Sequence, residues 1–244
     1  MKRNTMTTVA SGDGTRVATE ISGSGPPIIL VSQALSDHTH GRRLAAALAP
    51  SFTVYNYDRR GRGDTRLAGA WSLEGEIDDI AALASHAGGR ANLFGSSSGA
   101  ALALRTADRL GDMVNRLVLF EPPFIVDDSR PPLGSAFRRE IEERLACADN
   151  AGAVRTFFRG LGMPALMVAA MRLFPGWSAM VRLAPTLPTD LAVLEETQRG
   201  QPLPPELGAG VTAPTLVVTG AKSEPFFASG AHALANQIDG PPTR

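Results

Sequence analysis

The stretch Ala91–Leu104, ANLFGSSSGAALAL, constrains this chain more than any other. A short apolar run meets Gly95-Ser96-Ser97-Ser98-Gly99, and an alanine-rich run of helical character follows. Only Ser97 lies at the centre of a G-x-S-x-G pattern. That pattern needs a strand before it and a helix after it, because the turn between them strains the serine backbone and lifts its hydroxyl above the sheet edge. Small residues are required where the two backbones close on one another, and Gly95, Gly99 and Ala100 supply them. The helix start also sets N–H groups and a positive dipole end beside the hydroxyl. A glycine–serine turn with Ser97 or Ser98 as helix N-cap is the plainer reading of the pentapeptide alone. A strand at Ala91–Phe94 and a helix at Ser98–Leu110 favour Ser97 as a nucleophile, with Ser96 and Ser98 serving shape and backbone.

The surrounding chain alternates strands with helices. Thr15–Ser22, rich in β-branched residues, follows the turn GDG and predicts a strand; Met1–Thr5 reads as an upstream extension. Ile28–Ser32 is apolar throughout, as a strand buried on both faces must be. Gly41–Ala49 predicts a helix stopped by Pro50, and Phe52–Tyr57 another strand. Leu73–His86 carries Ile77, Ile80, Ala81 and Ala84 at helical spacing and ends before Gly88-Gly89. Arg116–Phe120 predicts a strand. From Asp127 to Leu207 the rhythm changes to helical stretches broken by prolines, and the strand Thr215–Thr219 and helix Phe226–Ile238 then resume the pattern. Strands alternating with helices imply right-handed crossovers and a parallel sheet.

Five segments, IILVSQALSD, YNYDRRGRGDT, NLFGSSSGAALAL, LVLFEPPF and PTLVVTG, occur in one order along nearly the whole chain. In this the chain resembles the α/β-hydrolase superfamily, in the group of small serine hydrolases related to esterases and lactonases. The expected fold class is therefore α/β: a mostly parallel, doubly wound sheet with a helical cap insertion and its C-terminal strand missing. Residues 1–125 form the expected core, 126–207 the cap and 208–244 an incomplete return to the core. The activity implied is hydrolysis of an ester, thioester or lactone.

The resemblance also implies a site. Ser97 attacks, and two backbone N–H groups stabilise the oxyanion: that of Ser98, and one from the loop SQALSD, where Gln33 and Ala34 replace the family's usual His-Gly or Gly-Gly. Glu121 ends a parallel strand where some relatives place the triad acid, with a turn-capping carboxylate as its plainer reading. The commoner position follows the next strand, where GAKSEP puts Ser223 in place of an aspartate and Glu224 one beyond; Glu121 is preferred to Glu224. The family's base is a histidine after an eighth strand, which would begin at DGPPTR, where the printed sequence stops. His86 falls on the opposite rim and His232 inside the last helix. His38 and His40, in SDHTHG, are on the correct rim and are weak candidates for a base; helix-start polar residues describe them better. Without a base a serine hydroxyl attacks poorly, so the sequence predicts an impaired triad. A non-catalytic binding protein that keeps the fold is the rival expectation, and a truncated hydrolase the third.

Other signals are set aside. Lysine plus arginine and aspartate plus glutamate number 24 each, so no overall field recruits nucleic acid or an anionic membrane. The N-terminus lacks the apolar core of a secretory signal, and Met163–Phe174 is too short to span a bilayer. Cys147 is the one cysteine, which excludes an internal disulfide and fits a reducing compartment. A cytoplasmic location is expected. The Arg-Gly-Asp in DRRGRGDT resembles a structural turn of the family, where Asp58 and Arg59 tie the loop, and GRGDTR lacks the third glycine of a dinucleotide fingerprint. No cofactor and no metal are expected, although His38, His40 and Asp37 have ligand chemistry. Met163, Leu166, Met167, Met171, Phe174, Trp177 and Met180 are read mainly as packing in a flexible lid over an apolar acyl or ring substrate. The uncovered edge of Thr215–Thr219 predicts self-association.

Overall fold

The apolar run at Ile28 takes the interior place that such a run demands. In the computed structural model, which describes residues 5–239, β3 (Pro27–Val31) pairs in parallel with β4 (Thr53–Tyr57) on one side and β5 (Ala91–Ser96) on the other. Its alternate residues divide between two cores, as the two-residue period requires. Ile29 and Val31 pack with Leu93, Leu102, Leu104, Leu117 and Leu119. Ile28 and Leu30 pack with Ala45, Val54 and partly buried Leu44 and Phe94. Helices α2 (Leu73–His86) and α3 (Ser98–Leu110) serve the first core and α1 (His38–Leu48) the second.

The sheet continues in parallel through β6 (Val114–Phe120) and β7 (Thr215–Val218). On its other side β2 (Arg16–Gly23) runs antiparallel to β4, and β1 (Thr5–Ala10) antiparallel to β2. The order is β1-β2-β4-β3-β5-β6-β7 over seven strands. The mostly parallel α/β architecture is the one expected. Strand β1 is a correction to the sequence reading: Thr5 belongs to it, and only Val9 of its six residues is buried, so no periodic signal marks it. Residues 1–4 of the expected extension lie outside the described residues, as do residues 240–244, where the eighth strand was expected to start.

Helix α1 is a second correction, because it starts at His38 rather than Gly41. The Asp37 carboxylate accepts the Thr39 N–H at 2.9 Å, while the His40 ring reaches back to the Asp37 N–H at 3.4 Å. This reciprocal cap satisfies donors that would otherwise be orphaned and adds a turn. Between β6 and β7 lie α4 (Ser135–Ala146), α5 (Asn150–Gly160), α6 (Ala165–Ala170), α7 (Trp177–Leu183) and α8 (Leu187–Leu194), and α9 (Pro225–Asp239) follows β7. The inserted helices have a core of their own, built from Ile141, Val154, Phe157, Leu183, Leu187 and Leu191, with Leu35 of the β3–α1 loop inserted into it.

Trp177 and Met180 pack against that core, as expected of the Met-rich stretch, but other residues of the stretch do not. Leu166 is 83% exposed, Met167 57% and Phe174 64%, as is Leu173 at 80%. Six residues of α6 make fewer than two turns, which bury one side chain, Val168, and leave the rest outside. Strand β7 pairs with β6 alone among the described residues. Its Leu216 is 59% exposed, and a groove of about 290 Å³ runs between β7 and α9, lined by Leu216, Ala231, His232 and Ala235 among others. An unpaired apolar edge is a template for another strand. The 244-residue chain is therefore expected to show a scattering mass that rises with concentration, and Leu216→Lys to suppress the rise; a constant monomer mass for the unsubstituted chain at high concentration rejects the idea.

Candidate active site

Ser97 joins β5 to α3 with φ 51° and ψ −123°, a region L-residues avoid. The turn is held by the Ser97 N–H, which donates to the Phe120 carbonyl at 2.9 Å, and by the Ser97 carbonyl, which accepts from Ala100 N–H at 2.8 Å. The crossing is close enough that neither flanking glycine could carry a side chain. A Cβ at Gly95 would meet the Gly99 carbonyl and Ala100, and one at Gly99 the carbonyl oxygens of Val31 and Ser32. Ser97 Oγ makes no capping bond to the helix it precedes. The helix-cap reading of the pentapeptide is thereby set aside, and the half-buried hydroxyl is unengaged among the described residues.

Four non-glycine residues among those described have positive φ, and three of them meet here: Leu35 at 55°, Ser97 at 51° and Glu121 at 50°. Each costs of order 1–3 kcal/mol and persists only where packing overdetermines it. Leu35 is locked by its place in the insertion core. Glu121 is locked by its N–H, which donates to the Val218 carbonyl at 2.8 Å. Among the described residues, the N–H groups of Gln33, Ala34 and Ser98 donate to no acceptor.

Glu121 and the loop after β7 are brought together. Its Oε1 accepts from the Gly220 N–H at 3.1 Å and from Ser223 Oγ. The carboxylate thus reaches the rim where the sequence shows Ser223 in place of an aspartate. Glu224 turns the other way, pairing with Arg130 Nη1 at 2.9 Å. Arg130 also donates to the Gly160 carbonyl at 3.0 Å and stacks 4.7 Å over Phe226, so Glu224 ties the loop to α5.

None of the four histidines is hydrogen-bonded to Ser97 or Glu121. His38 Nδ1 lies 2.9 Å from both Asp58 oxygens, and its Nε2 faces Arg42 Nη2 at 3.3 Å. His40 is held by Asp37 at 3.1 Å and lines a cleft with Gln33, Asn56 and Ser96. His86 ends α2 with its Nδ1 3.4 Å from the Tyr55 hydroxyl, and His232 is exposed on α9. The polar cluster that does form is His38, Asp58 and Asp64, not His38 with His40 and Asp37. The Asp58 carboxylate already accepts the His38 N–H at 2.7 Å, the Asp64 N–H at 2.9 Å and the His38 ring. This arrangement closes a loop rather than presenting free ligand atoms.

The arginines of DRRGRGDT are buried and paired, a feature that sequence reading assigned to the loop without finding its partners. Arg59 Nη2 meets Glu76 at 2.9 Å and its Nη1 meets Asp190 at 2.8 Å, while Arg62 Nη2 meets Asp190 at 2.7 Å. Arg60 Nε meets Asp79 at 2.7 Å. Asp190 belongs to α8 of the insertion and also accepts from Ser98 Oγ at 2.8 Å. Burial alone would raise the Asp190 carboxyl; the Arg62 and Arg59 charges, with the bonds from Arg62 and Ser98, outweigh it and hold it below the usual range. No signal near Asp190 marks it in the sequence, because Ser98 lies 92 residues away and its arginine partners about 130, and fold alone unites them.

With this geometry in view, comparison with known proteins is decisive about kinship. The model of the family described as "Alpha/beta hydrolase family" matches residues 35–240. The chain belongs to this family. An alpha/beta hydrolase from Sphaerobacter thermophilus is 43% identical, with a TM-score of 0.89 over 98% of this chain and 90% of that one. An uncharacterized hydrolase of Bacillus subtilis, YraK, is 34% identical over 113 residues, 45% of this chain and 42% of that protein. Lipase LipV of Mycobacterium tuberculosis is 28% identical over 127 residues, 52% of this chain and 46% of LipV. The chain's matches to these two relatives span less than half of their lengths. No helix among the described residues is long and apolar enough to cross a membrane.

Two outcomes follow for this alpha/beta hydrolase. Gly99→Ala must push α3 off β3 and is expected to cost about 1–3 kcal/mol, read as a lower urea midpoint; an unchanged midpoint contradicts the contact. Because the folded Asp190 carboxyl is depressed below its unfolded value of about 4, its stabilisation is present above that pH and lost as the pH falls through the folded value. Unfolding followed from pH 5 to pH 2 should therefore fall less steeply in Asp190→Asn than in the unsubstituted protein; equal slopes remove Asp190 as the source.

Proposed function

We propose that this chain is a serine hydrolase acting on an ester, thioester or lactone. The observation that carries the reading is the unengaged Ser97 hydroxyl on a strained turn at φ 51°, close in the fold to loops whose Gln33, Ala34 and Ser98 amides have no acceptor. Ser97 Oγ attacks the carbonyl carbon as its proton passes to a general base, which later returns it to the leaving group, and the Ser98 N–H with that of Gln33 or Ala34 takes the negative charge on oxygen. Collapse breaks the bond to the alkoxide, thiolate or ring oxygen, and water then cleaves the acyl-serine. Glu121 is the acid that would orient a histidine base, a place that no histidine among the described residues fills. Its bonds to Gly220 and Ser223 support this choice, while Glu224 is committed to Arg130. The helical insertion acts as the cap, and an apolar acyl or ring substrate suits its Met- and Leu-rich make-up. The name lipase borne by LipV is in keeping with ester chemistry.

A second reading, a binding protein that keeps the hydrolase fold, is favoured by one observation: no histidine among the described residues bonds to Ser97 or Glu121. Labelling with a fluorophosphonate separates the two. A serine hydrolase is labelled stoichiometrically, the label is lost in Ser97→Ala, and Glu121→Gln slows p-nitrophenyl ester turnover by roughly 100-fold or more, against less than about threefold for Glu224→Gln. Absence of label, together with saturable binding of an apolar acyl compound, selects the binding protein.

A further inference from the structure

The amides that serve the proposed oxyanion hole lie on two separate segments, and something must hold those segments in register. The contacts that do so come from residues outside the proposed triad. Arg59 Nη1 donates to the Ser32 carbonyl at 3.2 Å, and Arg62 Nη1 donates to the Gln33 carbonyl at 2.6 Å. A trans peptide places its carbonyl and its N–H on opposite sides, and the described residues contain no cis bond. The first contact therefore turns the Gln33 N–H away from the guanidinium groups, and the second turns the Ala34 N–H away from them. Arg62 also donates to the Ser36 carbonyl at 3.3 Å, which fixes the far side of the same loop.

The other segment is held through a side chain. Ser98 Oγ donates to Asp190 Oδ1 at 2.8 Å. That same oxygen accepts from Arg59 Nη1 at 2.8 Å, and Asp190 Oδ2 accepts from Arg62 Nη2 at 2.7 Å. Glu76 holds Arg59 from behind and is itself bonded by Trp71 Nε1 at 3.1 Å. The side chains of Arg59, Arg62 and Asp190 are 0%, 0% and 1% exposed, so water neither screens these contacts nor competes for them.

We propose that Asp190, Arg59 and Arg62 are positioning residues that assemble the oxyanion hole: one carboxylate from the helical insertion clamps Ser98 on one side and, through two arginines, orients the Gln33 and Ala34 peptides on the other. The hole is then complete only when α8 is seated. This rests on the serine-hydrolase reading above and assigns that site its dependence on the insertion. Leu35, buried in the insertion core directly after Ala34 and strained at φ 55°, is a second mechanical link of the same kind.

The test uses Ser98→Ala, which keeps the backbone donor and removes only the tether, with Arg62→Met and Arg62→Lys. Ester hydrolysis by Ser98→Ala is expected to lose about 10- to 100-fold in kcat with KM within about threefold, short of the loss for deleting a donor outright. Arg62→Met is expected to lose at least as much, and Arg62→Lys to recover part of it by donating one bond. Crystals of Arg62→Met and Ser98→Ala provide a readout that needs no turnover: the Gln33–Ala34 peptide rotates in the first and the start of α3 shifts in the second. Unchanged peptides in both variants overturn the proposal, as does an unchanged kcat in Ser98→Ala. An unsubstituted protein that hydrolyses no ester and takes no fluorophosphonate overturns the hydrolase reading instead, and the crystals alone then decide whether the arginines set the two peptides.

Discussion

Arginine side chains rarely go into a protein interior unpaired, since an isolated buried charge costs several kcal/mol. Arg59 and Arg62 are both fully buried here, side by side; Glu76 pairs with Arg59, and the one carboxylate shared by both arginines comes from the insertion. The repulsion between them would be severe without Asp190; burial and the neighbouring Arg59 already pull Arg62 below its ordinary value. The seating of α8 beside α3 is therefore electrostatic as well as apolar. Removing one partner from such a cluster typically costs about 3–5 kcal/mol, a large part of a domain's net stability.

This cluster lies beneath the strained elements. A positive φ at Leu35, Ser97 and Glu121 is tolerable because each residue is fixed from a second direction: Leu35 by the insertion core, Ser97 by Phe120 and Glu121 by Val218. The strands contribute the rest. β3, β5 and β6 run in parallel at the centre of the sheet, so their C-terminal ends open on one rim, where ligands of open α/β sheets bind. An alpha/beta hydrolase thus keeps strain in its loops and regularity in its strands.

Much of this was legible beforehand. Gly95 and Gly99 flank Ser97 because the backbone crossing admits nothing larger, and a rule that local shows directly in the residues. The limits of α2 and α3 were legible because apolar spacing and glycine stops mark them. Strand β1 was not, since an edge strand with one buried residue has no period to read. The exposure of Leu166 and Met167 was also hidden, because apolar residues on a six-residue helix look in sequence like those of a packed one.

The alternation of strands and helices from β2 to α3, the serine turn and the family follow from the residues alone, because each depends on contacts within about a dozen positions or on a pattern repeated along the chain. The choice between Glu121 and Glu224 as the carboxylate beside Ser223, the engagement of His38 by Asp58 and the meeting of Asp190 with Ser98 were decided only by tertiary structure. These are pairings across roughly 20 to 100 positions, and chain connectivity contains no information about which distant charge will arrive beside which buried group.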